Sequence, residues 1–154
     1  MNRSLTCLSL ALVAVVFASS SVTANCTQGF WKNHPEEWCT DTLELGDVLY
    51  TQAELLSILH LEVEGNGLVS LAHQLIAAKL NVACGAPPID CIDDADALIG
   101  LLVVPPVGAG HLDTEVTSPL ECLTTFNESE GGNELCDPVS VDETSWGRVK
   151  ATYR

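Results

Sequence analysis

Four histidines, one lysine inside an apolar run and several tight groups of carboxylates are the residues of this chain that could do chemistry. His34, His60, His73 and His111 are spread along the sequence, and no pair has the H-E-x-x-H spacing of a zinc helix. His111-Leu112-Asp113-Thr114-Glu115 would put three metal ligands on one face if extended, with a solvated loop as the plainer reading. His34 and His73 fit two roles. Either they hold an N-terminal loop against a central helix as a polar pair, or one of them works with a nearby carboxylate in acid-base hydrolysis. Lys79 falls on an apolar helical face, where a cation is costly unless it is paired or reaches water. The sequence therefore predicts a partly buried ion pair with an acid from the N-terminal loop or from the Asp90–Asp96 segment. A catalytic lysine is the alternative.

Carboxylates crowd two stretches, Asp90/Asp93/Asp94/Asp96 and Asn127/Glu128/Glu130/Asn133/Glu134/Asp137. Calcium is the cofactor such oxygen-rich groups suit best, but neither has the EF-hand spacing, so the signal is weak and helix capping and solvation are the plainer reading. There is no G-x-S-x-G nucleophile motif, and paired carboxylates for glycoside hydrolysis occur in any chain this acidic. The strongest surface candidate is the segment from Cys26 to Cys39, which gathers Phe30, Trp31, His34 and Trp38. Flat rings with polar neighbours stack on sugars and on partner surfaces. The competing reading is that these rings close the bottom of a small core.

The elements that must position these residues centre on Gly65–Ala83. Asn66 suits an N-cap, and Leu68, Leu71, Ala72, Leu75, Ile76 and Leu80 recur at helical spacing, with Ser70 and Gln74 as a narrow polar sector. A helix so apolar most of the way round belongs at the centre of a small bundle. Before it, Thr51-Gln52-Ala53-Glu54 is a capping box opening a helix that ends near Glu62, so the two form a helical hairpin. Residues 41–50 read as connection with a short extended piece. Asp90 starts another helix, which Pro105-Pro106 is expected to end, and Ser118-Pro119-Leu120-Glu121 caps one more. Residues 128–144 read as an acidic, irregular loop, and 145–154 as a short basic helix.

Residues 1–24 have the layout of a secretory signal: Arg3, a short apolar run, then Val22-Thr23-Ala24 before the expected cleavage. The run is too short to span a bilayer, and no other segment is apolar and long enough. Removing it leaves five cations against all 21 acidic side chains, a net of −16, which argues against nucleic acid or anionic membrane as a partner. It also leaves Cys26, Cys39, Cys84, Cys91, Cys122 and Cys136, an even set that reads as three disulfides in an exported chain. Sequential pairing is the expected connectivity among the fifteen possible. Asn25 and Asn127 begin glycosylation sequons that matter only in a eukaryotic host.

Thr27-Gln28-Gly29-Phe30-Trp31-Lys32-Asn33-His34-Pro35, the Gly65-Asn66-Gly67-Leu68 entry and Leu71-Ala72-His73-Gln74-Leu75-Ile76-Ala77-Ala78-Lys79-Leu80-Asn81 resemble a family of uncharacterised secreted bacterial proteins. Ala95–Gly100 and Val104-Pro105-Pro106 look like the same family. The resemblance covers most of residues 25–154. It implies export and one compact domain, and no chemistry.

The expectation is therefore an all-α, disulfide-stapled single domain, residues 25–154, with four to five short helices around residues 65–83. Its expected role is a non-catalytic extracellular or cell-surface binding module that needs no cofactor. Carbohydrate or the cell envelope is the expected partner, met through the Phe30/Trp31/His34/Trp38 loop. A small secreted hydrolase using His34 or His73 is the alternative.

Overall fold

The computed structural model describes residues 25–113 and 117–129. The expected signal (1–24), most of the expected acidic loop (128–144), the expected C-terminal helix (145–154) and Cys136 lie outside the described residues, as do Thr114, Glu115, Glu130, Asn133, Glu134 and Asp137. Within them the chain runs α1 (Gln28–Asn33), a 3-10 turn (Pro35–Glu37), β1 (Thr42–Leu45), β2 (Val48–Thr51), α2 (Gln52–His60), α3 (Gly67–Ala83), α4 (Cys91–Ile99) and α5 (Thr117–Glu128).

α3 is the centre. Twelve of its 17 residues are buried, and α1, α2, α4, α5 and β1 all pack on it. Asn66 caps it, accepting from the Leu68 N–H at 3.0 Å, and the same amide reaches Gly110 O and the Leu112 N–H, tying down the 110–112 loop. α2 opens with both halves of the capping box formed: the Thr51 hydroxyl takes the Glu54 N–H, and the Glu54 carboxylate takes the Thr51 N–H.

The all-α expectation needs correction, because residues 42–51 form a two-stranded antiparallel hairpin. Its alternation is strict. Leu43, Leu45, Val48 and Tyr50 face the core, while Thr42, Glu44, Leu49 and Thr51 face out. Two strands are not stable alone, so this pair is held from outside. The Tyr50 hydroxyl accepts from the Val104 N–H at 2.9 Å. The turn, Gly46-Asp47, sits on the end of α4, where Asp96 Oδ1 takes the Gly46 N–H and Gly100 O takes the Asp47 N–H, both at 2.8 Å. A Cβ on Gly46 would lie 2.2 Å from Gly100 O, and its φ of +60° also favours glycine. Gly100, at φ +51°, stops α4 five residues before the proline pair expected to do so.

Lys79 joins the same junction. Its ammonium meets Asp96 Oδ2 and the Glu44 carbonyl, each at 2.5 Å, linking α3 to α4 and to β1. Asp96 thus serves the lysine with one oxygen and the hairpin turn with the other.

Sequential disulfide pairing is also corrected. The bonds are Cys39–Cys84 and Cys91–Cys122, and Cys26 is disulfide-bonded as well. Packing decides this. Burial of Trp38 brings Cys39 to the end of α3, and α4 lies along α5. The bonds therefore close chain separations of 45 and 31 residues rather than short local loops.

Two stability outcomes follow from this layout. Asp96→Ala removes both partners of the junction and is expected to cost about 2–4 kcal/mol in denaturant unfolding, more than Lys79→Met. Equal costs would mean that the hairpin turn does not depend on Asp96. Cys39→Ser/Cys84→Ser should cost about 2–4 kcal/mol by freeing the unfolded chain, and an unchanged midpoint would show that the bond does not restrain it.

Candidate functional site

The residues expected to form an aromatic contact loop do something else. Residues 28–33 are helical, with Thr27 as N-cap, and this helix drives Trp31 into the core at 0% exposure. Trp38 follows it at 9% and donates its ring N–H to the Trp31 carbonyl at 2.9 Å. Phe30, half-buried, meets Trp31 edge-on at 5.3 Å and lies against the His34 ring at 4.6 Å. His34 alone is well exposed, with Glu36 beside it at 3.3 Å. A backbone hydrogen bond, and then the His34 ring, hold the Glu36 carboxyl below its ordinary value. The expected stacking platform is thus corrected. Two of its three large rings are core, because a short helix resting on α3 must bury one face, and its tryptophan is on that face.

His73 does not pair with His34. It is 8% exposed on α3, and its Nε2 lies 2.7 Å from Ile58 O, so it fastens α2 to α3. Burial, and to a smaller degree the Lys32 charge, lower its pKa from 6.5 against the opposing effect of the Ile58 hydrogen bond. Among the described residues no group of three histidine, cysteine, aspartate or glutamate side chains converges to hold a metal. Asp93 and Asp94 occupy the first turn of α4, where the helix dipole favours them; Asp96 is at the Lys79 junction, and the His111–Asp113 contact is a long, exposed 3.9 Å.

Two of the molecule's concavities bring candidate residues together. The larger, about 650 Å³, lies between the hairpin, the C-terminal end of α3 and the entry to α4. Leu43, Leu49, Val82, Ile89 and Ile92 give it an apolar lining; Glu44, Asp90 and Asp93 stand on its rim, and Lys79 reaches it from α3. Leu49 is 62% exposed on the outward face of β2. The second, about 380 Å³, is bounded by Gln28, Gly29 and Lys32 of α1, by Leu59, Leu61, Glu62 and Val63, and by His73.

Nothing matches: no family model, curated protein or solved structure. Function has to be argued from the chain's own geometry.

A buried polar residue that sequence reading passed over is Asn81. Its Oδ1 accepts from the Cys26 N–H at 2.8 Å, and its Nδ2 donates to Cys26 O at 2.8 Å and to Asn127 Oδ1 at 3.1 Å. Asn127 in turn donates to Gln74 O and Oε1, both at 2.9 Å. The signal was present: an asparagine one residue beyond the apolar Leu80 has to find partners. Asn25 and Asn127, the two sequon asparagines, are both buried, and the Nδ2 of each donates hydrogen bonds.

The His73 environment sets a pH dependence. Because its folded pKa lies below the unfolded value, the unfolded chain binds more protons in that window. This group's stability contribution is therefore complete above about pH 6.5 and is lost as pH falls towards the folded value. The His73 ring should titrate below 6.5 when followed by NMR, with unfolding free energy declining from pH 7 to about pH 5. Titration at or above 6.5 would contradict the buried, neutral ring.

Proposed function

We propose that this chain is an exported, non-catalytic binding module that meets its partner through the acid-rimmed cleft beside the hairpin. Leu49 carries the reading. A large aliphatic side chain held largely in solvent on a rigid hairpin, next to an apolar hollow, is the kind of group that a partner covers. The hairpin is fixed at its turn and by Tyr50, so the surface is preorganised and loses little entropy on binding. The signal-like residues 1–24 and the disulfides support an oxidising, extracytoplasmic setting. No helix among the described residues is long and apolar enough to cross a membrane. Carbohydrate or the cell envelope remains the expected partner, now through the cleft rather than through the tryptophans.

The test is retention of oxidised residues 25–154 on insoluble polysaccharides and whole cell envelopes, alongside Leu49→Asp. The exposed site should let the variant fold with the same circular dichroism and melting profile. Retention is expected for the unaltered protein, falling about tenfold or more in the variant. Equal retention of the two would move the contact surface elsewhere, and no retention on any of these surfaces would refute the partner class.

A further inference from the structure

We infer that the pocket walled by His73 and Lys32 binds an N-acylated aliphatic amino acid, either free or as the last residue of a peptide. The inference is independent of the cleft beside the hairpin.

His73 provides the first handle. The Ile58 carbonyl can only accept, so the ring nitrogen 2.7 Å from it, Nε2, carries the hydrogen. A neutral ring then leaves Nδ1 with a bare lone pair. Nδ1 has no hydrogen-bond partner among the described residues, nor is it one of the sealed, unsatisfied atoms, which are Asn25 Oδ1 and Trp31 Nε1. A residue that lines the pocket and is only 8% exposed thus keeps one acceptor open. It calls for an N–H or O–H donor.

Lys32 provides the second handle. It lines the same pocket from α1 and has no ion-pair partner among the described residues, although the protein carries a large excess of acids. Its ammonium suits a carboxylate and disfavours a free α-amino group, hence the acylated nitrogen. Leu59, Leu61 and Val63 form an apolar wall for an aliphatic side chain. An N-acyl amino acid carries amide N–H, carboxylate and side chain on one carbon, so one small group answers all three features. Glu62 also stands on the rim and opposes the carboxylate.

The experiment is calorimetric titration at pH 7.5 with N-acetyl-leucine, with the His73 ring resonances followed by NMR. The comparison ligands are N-acetyl-leucinamide, which lacks the carboxylate, and 4-methylpentanoate, which lacks the N–H. Saturable binding of N-acetyl-leucine that shifts the His73 resonances is expected, with each comparison ligand about tenfold weaker. Lys32→Met should weaken N-acetyl-leucine by a similar factor while leaving the leucinamide unchanged, and Glu62→Gln should tighten it. Both positions are at the surface or partly so, and their folding is checked by circular dichroism. Acetyl-Ala-Ala-Leu separates the sources: binding as tight as N-acetyl-leucine or tighter assigns a peptide terminus, and weaker binding a free acyl amino acid. Equal binding of acid and amide, an unaltered affinity in Lys32→Met, or no saturable shift at His73 would overturn the inference.

Discussion

A helix with almost no solvent face must satisfy each of its polar side chains inside the protein, and α3 is such a helix: of its 17 residues only Ala83 is exposed. Most of the polar side chains on it or at its start have therefore become fastenings for other elements. Asn66 at its start holds the 110–112 loop, and His73 holds α2. Gln74 and Asn81 hold α5 through Asn127, and Asn81 also brackets Cys26 with two backbone hydrogen bonds. Lys79 holds α4 and β1 together. Apolar burial supplies most of the driving force but is indifferent to register. These directional contacts fix which element lies where, since a slip of one residue would strand a buried donor or acceptor at a cost of about 1–3 kcal/mol.

The same economy explains the character of the two concavities. Lys79 reaches the larger one, yet its charge is already taken up by Asp96 and by a backbone carbonyl, so the rim carboxylates Glu44, Asp90 and Asp93 set the sign of that surface. Lys32 stands outside the α3 network and has no ion-pair partner among the described residues. Among the described residues a carboxylate is folded against Lys79 and none against Lys32.

Much of this was legible in the chain. The α3 span, the α2 capping box and the need of Lys79 for an acid, from the N-terminal loop or from the Asp90–Asp96 segment, all rest on local pattern or on the cost of burying a charge, which sequence displays; Asp96 is the acid found. The strand pairing was only partly legible. Thr42–Thr51 alternates, but a two-residue turn at Gly46-Asp47 signals a hairpin only once something holds it, and Asp96 and Gly100 are about fifty residues away. The tryptophans misled for a related reason. Composition shows that rings are gathered in one segment, whereas their direction depends on a six-residue helix that is too short to be predicted without α3 beneath it. Disulfide partners are a tertiary property altogether, and Cys39 finds Cys84 because Trp38 is buried.

Those two cross-links also divide the molecule into covalent rings laid end to end, one from residue 39 to 84 and the next from 91 to 122. The α2–α3 connection, with Glu62, Glu64 and Gly65 exposed, lies within the first ring, and the exposed stretch around Pro106–His111 lies within the second. A protease that cut either loop would open a ring without releasing a fragment. The severed ends would stay anchored, and the core, which depends on contacts to α3 rather than on chain continuity, would keep its shape. The Gly85–Asp90 connection lies between these two rings, enclosed by neither.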